Sequence, residues 1–490
     1  MKDWIVQWKN DRLWGTLVIF WLATVAASFW GAYLLPIPIP GVGTIYAFRI
    51  LLVITTVVYL FWSIKRRQFF WEDNTAIDRW CYVLIFIMLV YGLASLPRAL
   101  DFIHTFRKLF NLCFDLCFFF LMLHICRKER MFRATMWVSL GSVAIMCALG
   151  IYEVFCGGIF TTLGNDYLIF PFFNIDGQFP MVTSSNTNDY CASLMFVVTI
   201  ILFMVIRRKH KRWWELLICC ISLPVLFLLL TAATAALNLI GLMIIYCGMF
   251  IYFAVANRKQ LWIPIISLML VLGVSFANQY RYIVPPIQQY LMQLQEYRNS
   301  DDVLPDTQLP DKPVLSIGKP NTGTLKDEFF VFNDETQALE LREEGSGGIR
   351  AHLLIHAFRC FRESYGIGVG LGNTEILTKE YHVIQDGRAW AIHCFIARII
   401  ADFGVFVLIP LCAIAYLLLK KVCQQIYFAT RKKDFHAVGV AIFFFCVFCT
   451  YPFVSTSSSD AQDIIAMWIY LASVVYFANS MLPIRGEEKT

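Results

Sequence analysis

The 490-residue chain is 58% hydrophobic and only 16% charged, with a mean hydropathy of +0.61. This composition excludes an ordinary soluble domain, because apolar stretches of about 20 residues, each long enough to cross a bilayer as a helix, recur throughout. The net charge of +6 is not a nucleic-acid signal, since the lysines and arginines are concentrated in particular connections, and nearly all of the 16 cysteines lie in apolar stretches as small hydrophobes.

The apolar stretches predict an all-α, polytopic membrane protein with about twelve transmembrane helices. Lysine and arginine occupy alternate connections, such as 207–212 and 431–433. The positive-inside rule places those connections, and with them both termini, in the cytoplasm. Among the short connections, the one carrying Arg98, Arg107 and Lys108 departs from this alternation. The predicted spans are 14–35, 43–63, 78–96, 109–126, 132–155, 187–206, 213–231, 233–255, 261–278, 391–419, 436–454 and 462–481.

One connection is much longer than the others, and it divides the chain into three parts. Residues 1–278 carry spans one to nine, residues 279–390 form a large extracytoplasmic loop, and residues 391–490 carry the last three spans. The first half of the loop is rich in proline and turn residues and is predicted to be irregular. The second half is predicted to contain a helix over residues 349–363, followed by the stretch SYGIGVGLGNTE.

That stretch has a glycine at every second position from Gly366 to Gly372. A nucleotide-binding Gly-x-Gly-x-x-Gly pattern cannot be aligned with it, and the loop faces a compartment that is not supplied with ATP or NAD. The sequence therefore predicts flexible backbone that leads into the next span and positions its neighbours.

The helix over residues 349–363 carries an arginine among apolar residues. At about 100° per residue, Arg350 shares a face with Leu354, Ala357, Phe358 and Phe361. A guanidinium on a packing face is costly unless it meets an anion or a carboxylate. It either extends to water from the start of the helix or binds a phosphate group through its two-pronged donors.

The opposite face of this helix carries His352, His356, Arg359 and Glu363. The two histidines have the i, i+4 spacing of a metal-binding pair. No glutamate follows the first histidine and no clear third ligand is present, so surface histidines are favoured and no metal site is predicted.

Three further polar positions lie within predicted spans. His393 opens span ten at the outer membrane boundary, where an imidazole is near water and suits a general base; the alternative is an interfacial polar residue. Deeper in that span, Arg398 and Asp402 are four residues apart and are expected to form a structural pair. Arg49, about two turns below the outer surface in span two, has no local partner and is a second candidate anion ligand.

Four segments together resemble the bacterial O-antigen ligase and O-antigen polymerase superfamily. They are SNTNDYCASL with Asn188, the span LLTAATAALNLIGLM, Arg350 with its helix and GIGVGLGN, and His393 followed by Asp402 and Gly404. The resemblance covers roughly residues 186–418. Two positions depart from the family pattern: Ala233 and Thr234 stand where many relatives have Ser-Arg, and Cys394 stands where an asparagine usually follows the histidine.

The resemblance implies a glycosyltransferase of the bacterial cytoplasmic membrane. Its donor would be a polyprenyl-pyrophosphate-linked glycan and its acceptor a glycan or a lipid-linked glycan. The other implied partners are membrane lipids and, as a further possibility, other polysaccharide-assembly proteins. No cofactor is implied. The residues of this chain that fit such chemistry are His393 and Arg350 as catalytic residues, Arg49, Arg350 and Arg359 as pyrophosphate ligands, and Asn188, Arg398 and Asp402 as supporting residues.

A transporter or flippase of lipid-linked oligosaccharide is the main alternative, because charges inside spans suit either class. No internal repeat relates the two halves of the chain, and no matched pair of Gly/Pro-broken spans is present, which disfavours transport. A membrane scaffold leaves Arg350 unexplained. A ligase and a polymerase differ in acceptor rather than chemistry, so both remain open. The absence of any Asn-x-Ser/Thr sequon favours a prokaryotic source.

Overall fold

The computed structural model describes residues 11–30, 35, 37–39, 43–66, 74–156, 187–232, 236–273, 330–333, 338–341, 346–381, 383–384, 389–458 and 464–481. Within this part, most residues are helical, and the strands form two short antiparallel hairpins. The strands β1 (Ile37–Ile39) and β2 (Gly43–Ile45) form one, and β3 (Phe330–Asn333) and β4 (Ala338–Leu341) form the other. The turn with Ala233 and Thr234, and the proline-rich segments predicted to be irregular, lie outside the described residues.

The described helices confirm an all-α, polytopic membrane protein. Nine of those in the described ranges, α2 to α8, α13 and α14, are long and apolar enough to cross a membrane, and α1 and α15 are shorter apolar helices. Residues 262–273 (α9), in predicted span nine, are also helical. The other helices are α1 Arg12–Ser28, α2 Ala47–Arg66, α3 Ala76–Ser95, α4 Phe102–Ile125, α5 Glu129–Cys156, α6 Thr187–Ile206, α7 Trp213–Ala232, α8 Ala236–Ala256, α10 Ser346–Glu363, α11 Asn373–Glu380, α12 Phe395–Phe403, α13 Val405–Arg431, α14 Phe435–Ser457 and α15 Ile465–Ser480.

Hydrogen bonds link several of the basic connections at one end of the bundle. His436, at the start of α14, donates through Nε2 to the carbonyl of Arg207, which follows α6 (3.1 Å). Asp78 in α3 accepts from Asn479 in α15 (2.9 Å) and from Arg127 after α4 (3.2 Å). The connections that carry most of the lysines and arginines therefore lie together, at what we call the basic end, in agreement with the charge alternation.

The predicted orientation, with the basic end in the cytoplasm, can be tested with two single cysteines. Tyr365, just after α10, is 94% exposed, and Lys209, at the basic end, is also exposed. We expect a membrane-impermeant thiol reagent to label Tyr365→Cys in intact cells and Lys209→Cys only after permeabilisation, because the positive-inside rule sets the orientation. The parent chain with its own cysteines gives the background. Labelling of Lys209→Cys in intact cells would reverse the orientation.

Helix α6 is the centre of the bundle and is almost wholly enclosed by other helices. It packs against α5, α7, α8, α14 and α15. Helix α6 ends and α14 begins at the basic end, so the start of α6 and the end of α14 come together at the opposite end. The polar residues near Thr187 and Ser457 are thereby brought close to each other.

The structure corrects predicted span ten, residues 391–419. The segment is two helices, α12 and α13, separated at Gly404, which has a φ of +65°. A Cβ at this position would lie 2.1 Å from the carbonyl oxygen of Ile367, so only glycine fits the break. His393 therefore precedes a short helix instead of opening a span. Arg398 and Asp402 lie on that short helix, outside the span of α13.

Helix α10 confirms the predicted helix over residues 349–363 and corrects its packed face. Leu353 and Ala357 are buried, and so is His356, which was predicted to be a surface histidine. Leu354 and Phe358, predicted to pack, are 38% and 56% exposed. Tertiary contacts determine which face is buried, because α10 packs chiefly on α12 through the side that carries Leu353 and Ala357. That side is also the side of Arg350, three residues before Leu353.

A candidate active site at the end of helix α14

The end of α14 brings together two residues that sequence analysis identified separately. The last carbonyl groups of a helix have no partner within it and need donors from elsewhere. Arg350 donates from Nη2 to the carbonyl oxygen of Ser457 (3.4 Å), and His393 donates from Nδ1 to that of Ser458 (3.2 Å). The guanidinium and the imidazole thus bind consecutive carbonyls, which we call the Ser457–Ser458 junction.

Two buried side chains of neighbouring helices hold the junction from its other side. The Ser458 hydroxyl donates to Asp189 Oδ1 (2.7 Å), and Asn238 Nδ2 donates to the Ser457 hydroxyl (2.9 Å). Both serines are buried, at 1% and 0% exposure. The junction therefore collects polar groups from α6, α8, α10 and the segment before α12. Asp189, Asn238 and the two serines were not among the candidate site residues named from the sequence.

Arg350 and His393 reach the junction because α10 and α12 run side by side in the same direction. The two helices begin at the junction, and their far ends are joined through the glycine stretch. Alanines on α12 let the two backbones approach closely. The buried residues of this small core are Leu353, Ala357 and Cys360 from α10, and Ile392, Ala397 and Ala401 from α12 and the residues before it.

The hydrogen bond to Ser458 determines which nitrogen of His393 carries the proton. A carbonyl can only accept, so Nδ1 is the donor, and in the neutral ring the proton-accepting lone pair is on Nε2. In this tautomer the nitrogen that can accept a proton, as a general base does, is Nε2. The same contacts also cap the C-terminal end of α14, where donors and cations are stabilising, so a structural role is the competing interpretation.

The glycine stretch is a hydrogen-bonded turn, and its predicted flexibility stays a prediction. Its amides, from Gly366 to Asn373, all donate to groups of the protein itself, including Ala401 O, Asp402 O and the Ser95 hydroxyl. A loop that binds phosphate needs several amides directed at the ligand. These amides are already used, so the stretch is not a phosphate-binding loop.

Gly368 shows why this turn needs glycine. Its φ is +96°, and a Cβ there would lie 2.5 Å from the carbonyl oxygen of Asp402. The Tyr91 hydroxyl closes the other side by donating to the carbonyls of Ile367 and Gly368 (2.9 and 3.0 Å). The turn therefore fastens the end of α12 to α3.

A buried cluster of charged side chains lies at the far end of α12. Glu375 is at its centre, 2.9 Å from Lys108 Nζ, 3.1 Å from Arg398 Nη2 and 3.1 Å from His104 Nε2. Arg398 Nε is also 3.7 Å from Asp402 Oδ2. The predicted pair of Arg398 and Asp402 is present, but it belongs to a larger cluster that joins α4, α11 and α12.

Glu375 carries negative charge within this cluster. Burial raises the pKa of its carboxyl, but Arg398 and Lys108 lower it by more, so the pKa is held well below its usual range. Sequence analysis read Glu375 only as the end of the glycine stretch. A signal was present, however. Lys108 belongs to the connection that departs from the charge alternation, and its pairing with Glu375 accounts for a basic residue at that end.

Arg49 lies on a different pair of helices. It is the third residue of α2, nearer the helix start than predicted, and it is buried. Its Nη2 donates to Asn111 Oδ1 (2.6 Å), which supplies the partner that sequence analysis did not find. Its guanidinium lies 4.5 to 5.5 Å from the ring centres of Tyr46, Phe110 and Phe114. These contacts place Arg49 against α4, whereas the hydrogen bond described for Arg350 goes to the end of α14.

For Arg359 and Asn188, no hydrogen bond to either junction carbonyl is present among the described residues. Arg359 is exposed on the side of α10 opposite to Arg350, paired with Glu363 (2.7 Å) and 4.4 Å from the Tyr381 ring centre. Asn188 is half-buried next to Asp189 in the first turn of α6. The roles of Arg49, Arg359 and Asn188 in binding or support stay predictions.

The buried cluster predicts a large difference between two ion pairs of the same spacing. Arg398→Ala should lower the free energy of unfolding by about 3–5 kcal/mol, because it leaves the buried Asp402 side chain without its cationic partner. The additional change Asp402→Ala should restore part of this loss, since Lys108 still neutralises Glu375. Thermal unfolding of the detergent-purified protein, followed by size-exclusion fluorescence, measures both effects.

The matched control is the exposed pair of Arg359 and Glu363, which has the same i, i+4 spacing. Arg359→Ala should change the unfolding free energy by only about 0–1 kcal/mol. If Arg398→Ala were as mild as this control, or if the double variant were no more stable than Arg398→Ala, the cluster would not have the stabilising role described.

The comparisons with known proteins give one partial match. No family model matches the sequence. The chain is 27% identical, over 130 residues, to the teichuronic acid biosynthesis protein TuaE of Bacillus subtilis (strain 168). The match spans about a quarter of each protein, 26% of this chain and 26% of the relative. The resemblance to the O-antigen ligase and polymerase superfamily stays a prediction. The chain is thus a multi-pass α-helical membrane protein with a distant, partial similarity to a bacterial protein of teichuronic acid biosynthesis.

Proposed function

We propose that this protein is an integral-membrane glycosyltransferase that polymerises or ligates a bacterial cell-surface polysaccharide, such as O-antigen, capsule, exopolysaccharide or a teichuronic-type polymer. The donor is a glycan linked to polyprenyl pyrophosphate, used on the outer side of the cytoplasmic membrane. The observation that carries the proposal is the meeting of Arg350 and His393 at consecutive carbonyls, away from the basic end. The partial similarity to a teichuronic acid biosynthesis protein supports the polysaccharide class.

In the proposed reaction, the two residues act on the two ends of one displacement. The acceptor hydroxyl loses its proton to Nε2 of His393, and its oxygen attacks the anomeric carbon of the donor. The bond from that carbon to the pyrophosphate oxygen breaks, and the electron pair leaves with the pyrophosphate. Arg350 offers two parallel donors to the charge that develops there. Asp189 and Asn238 hold Ser457 and Ser458 in place.

A flippase for the same lipid-linked glycan is the competing function, and reconstitution separates the two. Purified protein in liposomes should transfer glycan and release one polyprenyl pyrophosphate for each glycosidic bond formed. Lengthened glycan on the carrier lipid identifies a polymerase, and glycan on a separate acceptor lipid identifies a ligase. Movement of the donor across the bilayer, with no release of polyprenyl pyrophosphate under any acceptor, would replace the glycosyltransferase proposal with transport.

A further inference from the structure

A recess lies at the basic end, at the opposite end of the bundle from the Ser457–Ser458 junction. It is a cavity of about 220 Å³ between α5, α6 and α15, and three arginines line it together with one glutamate. The arginines are Arg133 of α5 and Arg207 and Arg208, which follow α6. Aromatic residues Phe132, Tyr476 and Phe477 form the rest of its wall with Met204.

The cavity continues into an apolar groove between α5 and α7. The two share Met204 and Arg208, and the groove extends along α5 past Trp137 to Leu140 and along α7 to Ile218. The rings of Trp137 and Trp214 lie 5.6 Å apart and connect the two helices. The polar cavity is therefore at the end of the bundle, and the apolar groove extends from it towards the middle of the spans.

The charged side chains of the recess carry a net positive charge. Arg133 is paired with Glu129 (2.6 Å), and Arg208 is paired with the buried Glu215 of the groove. Arg207 lies 5.8 Å from the Phe477 ring centre and is the third cation against these two carboxylates. A single negative charge would balance the set.

We propose that this recess binds an anionic glycerophospholipid of the leaflet at the basic end. The phosphate lies in the cavity beside Arg133 and Arg207, and one acyl chain lies in the groove along Leu140 and Ile218. An amphiphile of one negative charge matches both the excess charge and the order of the surfaces, with cations at the end of the bundle and apolar side chains deeper in it. Nothing in this assignment depends on the proposed glycosyltransferase activity.

The test is native mass spectrometry of the purified full-length protein with equal amounts of phosphatidylglycerol and phosphatidylcholine of the same acyl chains. A basic side chain near an anionic lipid surface contributes about 1 kcal/mol, which is about five-fold in binding. The wild type should therefore retain phosphatidylglycerol in preference to phosphatidylcholine by at least about five-fold. Arg133→Gln combined with Arg207→Gln should bring the preference to within about two-fold.

Arg431→Gln is the matched control, because Arg431 is an exposed arginine of the basic end that does not line the recess. It should keep the wild-type preference. Arg208 is left unchanged, since its loss would leave Glu215 buried without its cation.

Two further measurements test the two halves of the recess. Ile218→Trp, which fills the groove, should lower the retention of phosphatidylglycerol, and glycerol 3-phosphate, which has no acyl chain, should compete only weakly. Equal retention of the two lipids by the wild type would overturn the proposal, as would an unchanged preference in the double arginine variant. Competition by glycerol 3-phosphate as strong as that by the lipid would also overturn it, by showing a phosphate site instead.

Discussion

Replacing His393 with glutamine should slow glycan transfer by about 10²–10⁴-fold, the usual contribution of a positioned general base. Glutamine retains an N–H group that can donate to the Ser458 carbonyl, so the cap on α14 is preserved. It has no nitrogen lone pair that can accept a proton, so the base is lost. Donor binding and thermal stability should stay near wild type. Purified protein in liposomes, with donor binding and transfer measured separately, gives both quantities.

The control for this variant is His210→Gln, a change at an exposed histidine of the basic end. It should leave transfer unchanged, because His210 is at the other end of the bundle from the junction. If His393→Gln transferred glycan as fast as this control, His393 would be a helix cap only. The base would then have to be sought first at Asp189 or His352.

Replacing Arg350 with lysine should lower transfer by about 10²–10³-fold, the cost of losing one donor to a developing negative charge. Lysine keeps the positive charge and can still donate to the Ser457 carbonyl, so α14 stays capped. It cannot offer the two parallel donors with which a guanidinium binds a pyrophosphate. Weaker donor binding should accompany the slower transfer, unlike the result expected for His393→Gln.

Arg362→Lys on the exposed side of the same helix is the matched control and should transfer glycan at the wild-type rate. Both lysine variants should be purified in the same amount. Transfer by Arg350→Lys equal to that of the Arg362→Lys control would show that charge alone is sufficient at position 350, and the two-pronged contact would be abandoned.

The apolar helices and their order along the chain could be predicted from the sequence because the signals are local. A stretch of apolar residues has the length of a bilayer, and basic residues recur in alternate connections. Of the twelve predicted spans, nine correspond to helices of spanning length within the described residues. The break at Gly404 could not be predicted in this way. Apolar residues continue on both sides of Gly404, so the apolar pattern does not show the break. Glycine is required at this position because the carbonyl of Ile367, far away in sequence, leaves no room for a Cβ.

The candidate site shows the same division. Arg350 and His393 were identified because each is a polar residue in an unusual place. The point where they meet was not identified, because in the sequence Ser457 and Ser458 resemble the polar end of any helix. Only the structure shows that Arg350 and His393 bind their carbonyls. Glu375 was missed because a carboxylate after a turn is ordinarily on the surface. Only the position of Lys108 indicated that a buried acid was needed.

The cluster around Glu375 also has a consequence for the order in which the chain is made. Lys108 and His104 are synthesised in α4, whereas the carboxylate that they contact follows only after five more spans and the long connection. During translation, these two basic side chains therefore lie at the membrane boundary without Glu375 until the later segment has been made. Their contacts with Glu375 form only when the segment carrying α11 reaches the same side of the membrane as the start of α4. A ribosome-bound chain that stops before residue 375 should accordingly be degraded faster than one that includes α12, because the later chain can complete the cluster.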